Sequence, residues 1–209
     1  MTQVVIFGVP ASSYVRTARM VCIEKGVPHA LEKIELGGEA HAQLHPWRKV
    51  PILRDGDLTV FETSAIARYV DELGSGPSLL PRTARDRAVM EQWISAIHCY
   101  LYGALVERYA LRYVRAMLAK QSPDLDAIRA AVPELEQGVA RLDRAYAGRD
   151  HLAGDALSLA DLFVSPIVQT IGMFPEGKAA LAAAPALSRA YAKLSQRPAF
   201  AEVHAGLFG

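Results

Sequence analysis

Several protein classes are excluded by what this sequence has little of. It holds two cysteines, Cys22 and Cys99, among 209 residues. That is too few for a disulfide framework or a cysteine-built zinc site, and it fits a reducing compartment. No apolar run approaches the ~20 residues needed to cross a bilayer. The opening MTQVVIFGVP has neither the basic start nor the long apolar stretch of a secretory signal. Charge excess is also missing, with 23 Lys and Arg against 22 Asp and Glu. The balance holds in each half: eight basic and nine acidic residues in 1–80, fifteen and thirteen beyond. Without a concentrated basic surface, a nucleic-acid partner is not expected. Gly and Pro, 15 and 12 residues, are too few for a low-complexity or collagenous chain. The expectation is a soluble, cytoplasmic protein with no metal and no membrane partner.

What is present is a folding composition, 51% hydrophobic and 22% charged, and a length that allows one large domain or two small ones. Periodicity divides it in two. Gln3–Phe7 is nearly continuously apolar and β-branched, which predicts a buried strand. Val15, Ala18, Val21 and Cys22 follow at helical spacing, and Gly26 and Pro28 stop that helix. HALEKIEL alternates and predicts a strand over 29–35. A Gly-Gly pair and a short polar piece that could be helical lead to Pro46. Two short apolar runs then flank Asp55-Gly56, a hairpin signal, and TSAIARYVDELG is a helix closed by Gly74. Residues 1–76 therefore read β-α-β-(α)-β-β-α, and the turn-rich SGPSLLPRTARDR serves as a linker. Residues 84–209 show no strand. Ala84–Lys120, Asp126–Tyr146, Ser158–Phe174 and pieces near Ala179–Ala184, Ser188–Gln196 and Ala199–Leu207 read as helices. Pro166, Pro175, Pro185 and Pro198 punctuate them, Pro166 either kinking its helix or sitting near an early turn. Ser158 with Asp161 forms a capping box and Leu157 with Leu162 a hydrophobic staple, a folding signal rather than a catalytic one.

Three segments could carry chemistry. In IFGVPASSYVRTAR, Ser12 and Ser13 open a helix whose first N–H groups lack partners and whose dipole end is positive, so anions bind there. Taken alone, a serine at that place is simply an N-cap. In KVPIL, a cis proline would let Val50 offer its N–H and C=O to an extended ligand, although few X–Pro bonds are cis. In FETSAI, Glu62 precedes the hydroxyls Thr63 and Ser64 at another helix start. That suits a zwitterion, or only a capped helix with a solvated acid.

Taken in order, SSYVRTAR, KVP and ETSAIARYV inside a βαβαββα pattern, followed by SLADLF in a helical half, resemble the serine-type cytosolic glutathione S-transferase superfamily over essentially the whole chain. The resemblance implies a thioredoxin-like, glutathione-binding domain (1–76) followed by an all-helical domain (84–209) that contributes the electrophile site. It implies glutathione as co-substrate, transfer of its sulfur to a small hydrophobic electrophile, and a homodimer. Counting seven residues back from Arg19, the family's offset, makes Ser12 the catalytic hydroxyl, with Ser13 beside it. Pro51 takes the family's cis position, Val50 the contact with the cysteinyl backbone of glutathione, and Lys49 an accessory contact. Glu62 and Thr63 take the γ-glutamyl end. The usual N-P-x-G before K-V-P is H-P-W-R here, with His45 for Asn and Arg48 for Gly, which changes the local loop.

The resemblance implies an electrophile site built by the loop after the first strand and the first long helix of the helical half. That makes candidates of Pro10 and of His98, Tyr102 and Tyr109, which fall near one helix face with Tyr113. Such a stripe is more often packing. Arg108, Arg112 and Arg115 read as a solvated basic face. Other activities stay open on the same scaffold: glutathione-dependent isomerisation, dehalogenation, peroxide or disulfide reduction, or non-catalytic glutathione binding. A dithiol mechanism is disfavoured because the C-x-x-C positions are Ser12-Ser13-Tyr14-Val15 and Cys22 belongs to a helix core.

Overall fold

Residues 3–205 are described by a computed structural model. Four short strands, β1 (Val4–Phe7), β2 (His29–Glu32), β3 (Ile52–Asp55) and β4 (Leu58–Phe61), form one sheet in the order β2-β1-β3-β4. β1 and β2 are parallel, so they need a crossover, and helix α1 (Ser13–Lys25) supplies it. β1 pairs with β3, and β3 with β4, in antiparallel fashion. The β3–β4 hairpin turns at Gly56, whose φ of 59° suits glycine. β2 is shorter than the 29–35 expected, ending at Glu32 where its register with Phe7 of β1 runs out.

The core of this unit follows the apolar spacing. Val15, Ala18, Val21 and Cys22 of α1 are fully buried, as are Ile66, Ala67 and Val70 of α3 (Thr63–Leu73), and the two helices pack together. Gly26 ends α1 in the left-handed conformation and donates its N–H to the Cys22 and Ile23 carbonyls. A six-residue helix, α2 (Glu39–Leu44), occupies the segment read as a short polar piece.

Packing divides the chain into residues 3–80 with 196–205, and residues 81–195. The break near Leu80 lies inside the turn-rich linker. The return of the last segment corrects the expected boundary of 84–209. Helix α10 (Pro198–His204) packs on α1, and the preceding Arg197 holds Glu24 of α1 through two bonds of 2.6 Å each. Such a planar fork on a carboxylate is specific in direction. The end of the expected Ala199–Leu207 helix lies outside the described residues.

The regular elements described in the second unit are all helices. Helix α4 (Ala84–Ala96) runs on through two wide π-helical stretches, Ile97–Leu101 and Gly103–Ala110, into α5 (Leu111–Ala119). α6 (Leu125–Ala145), α7 (Leu159–Ile171), α8 (Pro175–Ala182) and α9 (Pro185–Ser195) complete it. α7 is buried on every side, apart from Gln169, as an apolar helix must be. Pro166 sits in its middle, not in its first turn. The Leu162 carbonyl, which its missing N–H would have served, has the Ser165 hydroxyl at 3.5 Å. Pro175, Pro185 and Pro198 each open a helix, where the absent N–H costs nothing. The capping box at Ser158 is present: Asp161 Oδ2 accepts from the Ser158 N–H and hydroxyl at 2.9 Å each.

Candidate active site

Strand register gathers the three candidate segments at one edge of the sheet. Phe7 pairs with Ile52, and Ile52 with Phe61. Because β3 runs against both its neighbours, the loop after β1, the residues before β3 and those after β4 leave from the same edge. Gly8 marks how closely they approach: a Cβ there would lie 2.5 Å from a Val15 methyl and 3.5 Å from Val50 Cβ.

The two serines are placed differently. Ser12 is the N-cap of α1, half-buried, and its Oγ accepts from the Val15 N–H at 3.4 Å. That bond uses the oxygen as acceptor and leaves the hydroxyl proton to be donated elsewhere. Ser13 is 4% exposed, and its Oγ accepts from Arg16 Nη2 at 3.3 Å. The fully buried Arg16 carries no sequence signal beyond being one turn from the serines.

The Val50–Pro51 bond is cis, as the resemblance implies. Val50 is half-buried, Pro51 is buried and Lys49 is exposed. Glu62 caps α3 from an unusual backbone, φ 68° and ψ 118°, with its side chain exposed and making no capping bond. A non-glycine residue at positive φ is strained and tends to mark a functional position. Thr63 is the buried first residue of α3, whose opening N–H groups have no intrahelical partner.

Two histidines on α2 and at its end were only half legible. His41 and His45 are i,i+4 neighbours with rings 6.5 Å apart, and both are buried. His41 accepts from the Gly37 N–H and meets the Lys49 carbonyl. His45 accepts from the Trp47 N–H at 3.2 Å and lies 4.9 Å from the Phe61 ring. Burial pushes the His45 imidazole below its usual range, keeping it neutral, although Glu62 pulls the other way. Replacing the family's Gly by Arg48 is accommodated at a positive φ of 50°. A histidine pair at helical spacing beside K-V-P was the available signal for His41.

The electrophile candidates separate. Pro10 is half-buried in the loop before α1, His98 is half-buried on the first π-helical stretch, and Tyr102 is half-buried between the two. His98 sets its ring edge-on to Phe163 at 5.2 Å. Tyr109 is corrected to a packing residue. The stripe assumed 3.6 residues per turn, and the wide turns change the phase. Tyr109 is fully buried, donates to Glu176 at 3.0 Å and accepts the Gly177 N–H at 2.8 Å. Tyr113 also donates to Glu176, at 2.9 Å. Arg108 pairs with Glu134 at 2.6 Å. Burial pushes the Cys22 thiol up to about 12, so it is inert at neutral pH.

Among the described residues no group of three or more His, Cys, Asp or Glu could hold a metal, and no helix is long and apolar enough to cross a membrane. Residues 11–73 match the glutathione S-transferase N-terminal domain family, and residues 109–198 match the glutathione S-transferase C-terminal domain family. Glutathione S-transferase F10 of Arabidopsis thaliana is 31% identical over 198 residues, 91% of each chain. Glutathione transferase F7 from Populus trichocarpa superposes with a TM-score of 0.88 at 24% identity, covering 98% of this chain and 99% of its own. Glutathione S-transferase I from maize, in complex with an atrazine glutathione conjugate, gives 0.85 at 22% identity, over 97% and 96%. Together with the fold these matches settle the family: the chain belongs to the glutathione S-transferases.

Proposed function

We propose that Ser12 activates the thiol of glutathione for attack on a small hydrophobic electrophile, with Val50, Glu62 and Thr63 holding the peptide. One observation carries this reading. A hydroxyl with an uncommitted proton at a helix N-terminus shares a sheet edge with a strand-entry backbone and a carboxylate that caps nothing. Glutathione offers the matching groups: a thiol, a peptide backbone, and a γ-glutamyl end with an ammonium and a carboxylate.

The chemistry follows from the thiolate being the nucleophile. A thiol with a pKa near 8.5 is only a few per cent ionised at neutral pH. A hydrogen bond to a charged group contributes ~1.5–3 kcal/mol, and the helix terminus ~0.3–1 kcal/mol. At 1.36 kcal/mol per unit, a depression of about one to two units follows. Ser12 donates to the sulfur and takes no proton; the thiol proton leaves to water. Glu62 pairs with the α-ammonium, the Thr63 hydroxyl and N–H take the neighbouring carboxylate, and Ser13 and Lys49 complete the pocket. Pro10, His98 and Tyr102 remain the candidates for the electrophile side.

The maize relative's glutathione conjugate supports the substrate class. Detoxification in the cytoplasm and a homodimer are part of the same proposal, supported by the family alone. Retention on immobilised glutathione, followed by turnover of chlorinated aromatics, epoxides, unsaturated carbonyls, peroxides and disulfides, tests it. Flow-through without turnover would contradict it.

A further inference from the structure

The peptide unit joining Lys49 to Val50 is held from behind by a buried histidine. His41 has no exposed surface. The Gly37 N–H donates to its Nδ1 at 3.1 Å, which assigns the ring proton to Nε2, and Nε2 donates to the Lys49 carbonyl oxygen at 2.9 Å. A neutral imidazole has one donor and one acceptor, and both are engaged. The ring thus ties the loop before α2 to the entry of β3. Lys49 lies before β3 begins at Ile52, where no strand ladder is in place to hold its carbonyl.

The Lys49 C=O and the Val50 N–H belong to one planar trans peptide unit, so they point in opposite directions. Drawing the carbonyl inward to His41 turns the Val50 N–H outward from the buried ring. His45 steadies the same stretch from the next turn, accepting the Trp47 N–H and packing on Phe61, the residue before Glu62.

We propose that His41 is a positioning residue for glutathione. It sets the plane of the Lys49–Val50 peptide, and so the direction of the N–H that receives the cysteinyl carbonyl, while touching no ligand atom itself. The inference rests on the glutathione reading of the site and assigns a role to a side chain outside it.

Three variants separate positioning from packing. His41→Phe keeps the ring volume and removes both nitrogens. His41→Asn keeps an acceptor for Gly37 but is too short to reach Lys49. His41→Gln keeps an N–H donor at the reach of Nε2. Binding is measured by calorimetry with glutathione and with γ-glutamylcysteamine, which lacks the cysteinyl carbonyl. His41→Phe and His41→Asn are expected to weaken glutathione on the order of tenfold, the scale of one hydrogen bond. KM for glutathione should rise by the same factor with kcat at saturation nearly unchanged, and His41→Gln should recover most of the loss. γ-Glutamylcysteamine should bind wild type and variants alike. If His41→Phe does not fold, the Asn and Gln pair decides. Unchanged glutathione affinity in His41→Asn, or equal weakening of both ligands, would overturn the proposal and leave a packing residue. Wild-type protein that binds neither ligand would overturn the glutathione reading, and this inference with it.

Discussion

Lys25 and Asp71 form an ion pair of 3.1 Å with both side chains almost wholly buried. The same ammonium donates to the Gly76 and Pro77 carbonyls at 2.7 and 3.1 Å, and Asp71 accepts the Leu79 N–H at 2.8 Å. Two helices and the segment leaving α3 therefore share one charged junction. Lys25→Met leaves a buried carboxylate without its cation, a loss of about 3–5 kcal/mol. Lys25→Met with Asp71→Leu should cost less than either single change, because the apolar pair has no charge to desolvate. Urea melts of the three variants check this; a single-variant loss below about 1 kcal/mol would contradict it.

The Asp161 carboxylate is a larger hub than its capping box required. Besides Ser158, it accepts from the Tyr146 hydroxyl at 2.9 Å and the Leu152 N–H at 2.8 Å. Burial pushes its pKa up, and these donors oppose that. Ser158→Ala should cost ~1 kcal/mol, the value of a cap. Asp161→Asn sets an amide N–H₂ among donors and should cost more than about 3 kcal/mol, losing charge-assisted bonds of ~1.5–3 kcal/mol each. Equal melting points for the two variants would refute the hub.

Acid should weaken the fold through His204. Burial pushes this imidazole down to about 4; the Phe200 carbonyl, which accepts its Nδ1–H at 2.7 Å, works the other way, and the nearby Arg16 charge adds to the depression. In the unfolded chain a histidine titrates near 6.5. Between those values the unfolded state binds a proton that the folded state does not, so stability falls as pH drops through that window. His29 and His45, also lowered chiefly by burial, act with the same sign. His204→Phe keeps the 3.8 Å ring stack on Phe200 and removes the titration. Its stability should decline less between pH 7 and 4.5 than that of wild type. A steeper decline would show that His204 is not the group responsible.

These residues show where sequence reading succeeds. Val15, Ala18, Val21 and Cys22 announced a buried helix face because burial and 3.6-residue spacing are the same fact. The Ser12 cap and the cis Val50–Pro51 bond were legible because short motifs fix backbone turns, and register then brings these segments and Glu62 to one edge. Tyr109 was misread because π-helical turns leave no local signature and shift the exposed face. α10 was assigned to the wrong unit because the Arg197–Glu24 contact joins residues 173 positions apart. His41 escaped because its role depends on a carbonyl, and carbonyls carry no sequence identity.

Glu62 combines a strained backbone with the role on glutathione proposed for its carboxylate, and the two can be separated. Glu62→Gln keeps the shape and loses the charge, so glutathione affinity should fall by roughly 10- to 150-fold, the loss of a charge-assisted bond, with kcat at saturation nearly unchanged. Glu62→Gly removes both carboxylate and strained backbone, and should melt no lower than wild type while binding glutathione as weakly as the Gln variant. Calorimetry with thermal melts checks both. A kcat loss with intact affinity would reassign the residue.

The claim that Ser12, not Ser13, stabilises the glutathione thiolate is tested most directly by titrating the thiolate absorbance of bound glutathione. In wild type the inflection should lie about one to two units below the free value near 8.5. Ser12→Ala should return it towards the free value and slow conjugation roughly 10- to 150-fold near neutral pH. That deficit should close at alkaline pH. Ser13→Ala should leave the inflection in place, since its hydroxyl is buried on Arg16. An inflection that rises in Ser13→Ala and stays depressed in Ser12→Ala would contradict the account.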